Sequence, residues 1–182
     1  MTADPALPAA VEIITSFEGF RSVPYRDTGG VWTIAYGETY LPDGSRVTAS
    51  TAPVSQPTAL AWLTAGVSKT LMRVRELVHV PISNNGVSSL VSFSWNVGTG
   101  ALANSTLLRL LNEHAPLQHV AGQFSAWVYD ARGHVDPGLI RRRAAEAALF
   151  LKPDTPAAEP DTDVADQLDD ELNPEPAGPS AA

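Results

Sequence analysis

At 182 residues, 44% hydrophobic and 18% charged, the chain has the composition of one globular domain with a substantial core, which excludes a fibrous or wholly disordered protein. The absence of cysteine excludes a disulfide framework, a thiolate zinc site and a cysteine nucleophile. The net charge of −8 is unevenly placed: nine acids and no base lie from Pro153 onward, so residues 1–152 set 11 acids against all 12 bases, a net of about +1. Partners of that part are therefore judged from near neutrality, and no nucleic-acid surface is expected.

The first element, "PAAVEIITSFEGF", predicts a short helix with Pro8 near its start, Val11, Ile14 and Phe17 or Glu18 on one face, and Gly19 as its end. Two strand-like runs follow, "SVPYRD" and "VWTIAY", joined by "TGG" as a glycine-rich hairpin. "PDGS" at 42–45 marks a second turn, and "RVTAS" reads as a third strand. So small a sheet cannot stand alone and must pack on helices.

From Gln56 the periodicity becomes helical. "PTALAWLTAGVSKTLMRVRELV" places Leu60, Leu63, Val67, Leu71, Val74 and Val78 on one apolar stripe, with Pro57 near its start and Pro81 after its end. "NNGVSSLVSFSWNV", ended by Gly98, "STLLRLLNEH", "LQHVAGQFSAWVY" and "GLIRRRAAEAALFL" predict further helices joined by short links. The fold class is α+β: a small three-stranded antiparallel sheet lobe joined by a long helix to a helical lobe.

Residues 153–182 are rich in Pro, Ala and acid, with almost no large apolar side chains, and predict a disordered tail. The folded domain is accordingly drawn at 1–152, and a chain cut at Lys152 is expected to fold. No apolar run is long enough for a membrane helix, and the first residues show neither a basic nor a long apolar signal region.

The stretch "FEGFRSVPYRDTGGVWTIAYGE" (17–38) holds the candidate chemistry. Glu18 falls at the end of the first helix, Asp27 at the end of the first strand and Thr33 in the second. A three-residue hairpin loop puts Asp27 opposite Val31, and a five-residue loop puts it opposite Thr33. Both leave Asp27 and Thr33 on one sheet face. A carboxyl kept protonated in a partly apolar setting, here Phe17, Phe20 and Trp32, can donate to a leaving glycosidic oxygen. A second, ionised carboxylate with a hydroxyl beside it can hold a water, and the separation of the carboxyls distinguishes inversion from retention.

The spacing Glu18-x8-Asp27-x5-Thr33 resembles the phage-type lysozymes of glycoside hydrolase family 24. The likeness continues through 80–112 and 127–151, so it covers nearly all of 11–151. It implies a lysozyme-like fold and hydrolysis of the β-1,4 bond between N-acetylmuramic acid and N-acetylglucosamine in peptidoglycan. It also implies roles: Glu18 as general acid, Asp27 and Thr33 on the attacking water, with an inverting outcome. Arg142, one of three consecutive arginines that cannot all face one site, is the expected arginine near Glu18. Asn96 and Ser105 match positions that line the sugar cleft, although helix packing would explain them equally.

No cofactor or metal is expected. His79, His114, His119 and His134 form no ligand spacing. Where the family usually reads "GYGHT" the chain has "AYGET". Glu38 reads first as a solvated strand-end residue and second as negative charge near the cleft favouring a protonated Glu18. The expected role is an endolysin acting as a monomer on peptidoglycan strands. It would be made in the host cytoplasm, reach the wall through a holin-type lesion and insert in no membrane. An antibacterial effector, a virion-associated lysozyme and a silent wall-binding module are the alternatives.

Overall fold

The structure, a computed structural model, describes residues 3–27 and 29–154. Helix α1 (Leu7–Glu18) leads into strands β1 (Arg21–Arg26) and β2 (Trp32–Ala35). The helices α2 (Gln56–Leu77), α3 (Asn84–Val97), α4 (Thr99–Ala103), α5 (Thr106–Asn112), α6 (Leu117–Gly122) and α7 (Pro137–Leu151) follow, with a 3-10 turn over Gln123–Ala126. This is the expected α+β order. No described helix is long and apolar enough to cross a membrane.

Helix α3 is the centre of the helical lobe. Gly86 to Ser94 are all buried, a run that includes four serines. Buried hydroxyls need partners, and Ser88, Ser89 and Ser92 find them on the flanking segments, while Ser94 Oγ has none among the described residues. Ser88 Oγ donates to Ala6 O at 2.7 Å, and Ser89 Oγ donates to Glu146 O at 2.6 Å. Small side chains thus let α1 and α7 approach α3 while bonding them to it. On α2 the buried stripe is Ala59, Leu63, Val67, Leu71 and Val74. Leu60, expected on that stripe, is 39% exposed, because the helix turns Ala59 inward in its place. A β-carbon on Gly66 would stand 3.0 Å from Trp95 Cη2, so glycine is what allows α2 this close to α3.

The sheet is two-stranded and antiparallel, pairing Arg21 with Ala35, Tyr25 with Thr33 and Arg26 with Trp32, with an irregularity between Arg21 and Tyr25. The expected third strand at 46–50 is reduced to a bridge between Tyr40 and Arg46 and one bond from Val47 N to Thr39 O. Ser55 caps α2 by accepting from Thr58 N.

The folded contacts run two residues past the expected boundary at Lys152. Asp154 accepts from the backbone N–H groups of Asn84 and Asn85 at 2.8 and 3.0 Å, supplying a carboxylate to the N-terminus of α3. Residues 155–182, on which the expectation of disorder chiefly falls, lie outside the described residues. A chain ending at Asp154 is expected to melt with the full-length protein. Ending it at Lys152 removes the cap, about 1 kcal/mol or ~3 °C in Tm, and equal melting of the two truncations in calorimetry would refute the capping role.

Candidate active site

Glu18 is the last residue of α1, and Gly19 follows with φ +68°, a left-handed conformation that turns the chain into β1. The Glu18 side chain keeps 25% exposure, and its Oε1 accepts from Arg142 Nη1 at 2.8 Å. Among the described residues no hydrogen bond reaches its Oε2. Arg142, on α7, is buried, and each of its three guanidinium nitrogens has an acceptor. Its Nε donates to Glu146 Oε1 at 3.2 Å, its Nη2 donates to Ser92 O at 3.3 Å, and its guanidinium lies 5.4 Å from the centre of the Phe17 ring. The expected arginine beside Glu18 is therefore Arg142, while Arg141 faces solvent.

Behind this pair is a buried charge cluster. Glu146, 0% exposed, accepts from Ser92 Oγ at 2.7 Å and from Arg142, and Arg143 Nε lies 3.0 Å from its Oε2. Burial pushes the Glu146 carboxyl upward, and Arg143, the Ser92 hydroxyl and Arg142 pull it back. Burial pushes the Arg143 guanidinium down to about 10, against the attraction of Glu146, which leaves it charged at neutral pH. Arg143 Nη2 donates to Asn96 Oδ1 at 2.7 Å, and its guanidinium sits 4.8 Å from the Phe93 ring centre. The spacing of Glu146, four residues after Arg142 and three after Arg143, was visible in the sequence, but nothing in the charges alone announced burial.

At the far end of β1, Asp27 stands opposite Val31, the pairing of the shorter loop. Asp27 N donates to Val31 O at 3.0 Å, and Val31 N donates to Asp27 Oδ1 at 2.8 Å. Gly30 takes φ +78° and donates to Asp27 O, a left-handed turn position that suits glycine. Thr33, paired with Tyr25, lies diagonally across from Asp27 on the same face. Its side chain is 3% exposed and donates to Val31 O at 3.1 Å, which leaves the hydroxyl lone pairs free to accept.

Asn96 lines a cavity of about 330 Å³ with Trp127, Tyr129, Asp130 and Leu139, and Leu139 also lines an adjoining one of about 220 Å³ with Phe17 and Arg142. Arg142 lines the second of these hollows, and Glu18 lines neither. A further cavity of about 420 Å³ between α6 and α7 touches the site through Arg143. Ser105 does not join the site. It is buried as the N-cap of α5, its hydroxyl donating to Leu102 O at 2.7 Å and accepting from Leu108 N at 3.0 Å. Glu38 also departs from expectation: it is not solvated. Its Oε1 is buried without a hydrogen-bond partner among the described residues, and burial pushes the carboxyl upward.

The phage lysozyme family model matches residues 15–146, which include every residue of the cluster just described. The chain belongs to the phage lysozyme family. The endolysin of Bacillus phage B103 is 37% identical over 145 residues, 79% of this chain, and the match spans about half (52%) of that endolysin's length. Among solved structures, the muramidase domain of SpmX from Asticaccaulis excentricus superposes with a TM-score of 0.66 at 38% identity, covering 80% of this chain and 96% of that one. The endolysin from Escherichia coli O157:H7 phage FAHEc1 gives a TM-score of 0.74 at 28% identity over 86% of this chain and 98% of that one.

In this family member the α7 cluster must be complete to be tolerable. Removing one partner of a buried ion pair leaves an uncompensated charge and costs roughly 3–5 kcal/mol. Glu146→Ala is therefore expected to lower Tm by about 10 °C or more, since it takes from buried Arg143 its carboxylate partner and from Arg142 one of two. A loss below about 2 °C by calorimetry would show that the cluster is not a structural anchor.

Proposed function

We propose that the protein hydrolyses the β-1,4 bond between N-acetylmuramic acid and N-acetylglucosamine in peptidoglycan, as a lysozyme. The observation that carries the reading is Glu18, held at a helix end by Arg142 through one carboxyl oxygen, its side chain still a quarter exposed and its other oxygen without a hydrogen bond among the described residues. Family membership supplies the reaction class. Glu18 donates a proton to the glycosidic oxygen as that bond breaks, and Asp27 orients the water that attacks the anomeric carbon. Thr33 accepts a hydrogen bond from the same water. Water on the face opposite the leaving group gives inversion.

Asn96 keeps a side-chain amide N–H available, because its Oδ1 is taken by Arg143, and that donor suits an acetamido carbonyl. Arg142 positions Glu18, its buried guanidinium tying that carboxyl to Glu146 and to the Ser92 carbonyl. In the cell the protein serves as a monomeric endolysin, released to the wall by a holin-type lesion. A silent wall-binding module is disfavoured by the joint presence of Glu18, Asp27 and Thr33.

The test is loss of turbidity of chloroform-permeabilised Gram-negative cells. Glu18→Gln and Asp27→Asn are each expected to slow lysis by roughly 10²-fold or more with Tm little changed. Lysis by Glu18→Gln at the wild-type rate, or inert wild-type protein, would overturn the reading.

A further inference from the structure

The loop after β1 is held from two sides by side chains that are neighbours in the chain. Arg26 and Asp27 end an extended strand, so they leave opposite faces of the sheet. From one face Arg26 Nη1 donates to Gly30 O at 2.6 Å. From the other, Asp27 Oδ1 accepts from Val31 N at 2.8 Å. Gly30 O and Val31 N belong to one planar peptide unit, whose carbonyl and N–H point in opposite directions. Arg26 therefore grips one end of the group whose other end holds the Asp27 carboxylate.

The Arg26 guanidinium is itself anchored. It pairs across the ladder with Trp32, lying 4.7 Å from the ring centre, and Trp32 packs against the hydrophobic core. Among the described residues Arg26 forms no salt bridge, so its charge is directed at the ring and the carbonyl. A charged donor makes the stronger hydrogen bond, and a carbonyl polarised by it makes its own N–H the better donor. On the carboxylate side, a β-carbon on Gly29 would stand 3.3 Å from Asp27 Oδ1, and glycine keeps that contact open. Val31 O accepts from Asp27 N and from the Thr33 hydroxyl, so Val31 ties the carboxylate to the hydroxyl that shares its face. Among the described residues no hydrogen bond reaches Asp27 Oδ2, the oxygen left for a water.

We propose that Arg26 is a positioning residue for Asp27: it fixes the Gly30–Val31 peptide, and that peptide fixes the carboxylate in the rotamer that directs the attacking water. The proposal rests on the reading of Asp27 as the water-directing carboxylate. Arg26 works from the opposite face of the sheet, so its loss reaches the reaction only through Asp27. A carboxylate free to leave its productive rotamer slows the chemical step without weakening the hold on substrate. The change is therefore expected in kcat and not in KM.

The experiment compares Arg26→Met, Arg26→Lys, Asp27→Ala and the first and third changes combined, on soluble peptidoglycan strands, with Tm measured for each. Methionine keeps an apolar stem over Trp32 and removes the donor, whereas lysine restores a cationic donor for Gly30 O. Arg26→Met is expected to lower kcat about 10-fold with KM unchanged, and Arg26→Lys to recover most of that loss. Arg26 is exposed, so Tm should move by less than about 2 °C. In the Asp27→Ala background the same Arg26→Met change should cost nothing further. A second readout needs no turnover. The Val31 amide proton bonds to the Asp27 carboxylate, so its NMR shift follows Asp27 through its titration, and in Arg26→Met that excursion should shrink.

Wild-type kcat in Arg26→Met, an unchanged Val31 excursion, or an equal fold-loss in the Asp27→Ala background each overturns the positioning role. Asp27→Ala turning over at the wild-type rate overturns instead the reading of Asp27, and the Val31 excursion still decides whether Arg26 holds the carboxylate.

Discussion

A buried arginine has to be given acceptors, and that requirement organises this protein around Arg142. Its guanidinium, 6% exposed, bonds to Glu18 from α1, to Glu146 one turn on along α7, and to the Ser92 carbonyl of α3. Placing a charge out of water is costly unless every donor finds a partner, so the three helices cannot slide against one another without breaking the set. Glu18 is thereby held in one place by a residue 124 positions away in the chain. The serines of α3 make this geometry possible. A larger residue at Ser92 would hold α7 off, and an alanine would leave Glu146 with one donor fewer.

The sheet completes the site from the other end of β1. Asp27 is fixed by the pairing with Val31 and by the glycines that follow it, and Thr33 is fixed by its place opposite Tyr25. Short hairpins owe their register to the turn, and here the turn decides which face the carboxylate and the hydroxyl share. The same sheet presses the 34–38 turn against the end of α1, so the irregularity between Arg21 and Tyr25 and the strained Ala35 stand within a few residues of Glu18. Strain and bulges are tolerated where neighbouring contacts over-determine the backbone, and Phe20 against Tyr36 is one such contact.

Much of this is legible in the sequence. The 22-residue α2 and the ends of α1 and α3 at Gly19 and Gly98 follow from periodicity and end signals, and both glycines take positive φ. Hairpin parity put Asp27 and Thr33 on one face whichever loop formed. Three features were not legible, each for a physical reason. Ser105 looks the same in sequence whether it lines a cleft or caps a helix, and capping won because α5 begins there. Glu38 and Glu146 are charged residues in charged surroundings, and only tertiary packing determines that they leave water. The third strand failed because "RVTAS" has too few partners along its length, so one bridge near Tyr40 is all that forms.

The account stands or falls on whether water is added across the glycosidic bond. Mass spectrometry of muropeptides released from purified peptidoglycan in ¹⁸O-labelled water measures this directly. The account predicts products with reducing N-acetylmuramic acid ends carrying one ¹⁸O atom. Products ending in 1,6-anhydro-N-acetylmuramic acid, which contain no added water, would contradict it.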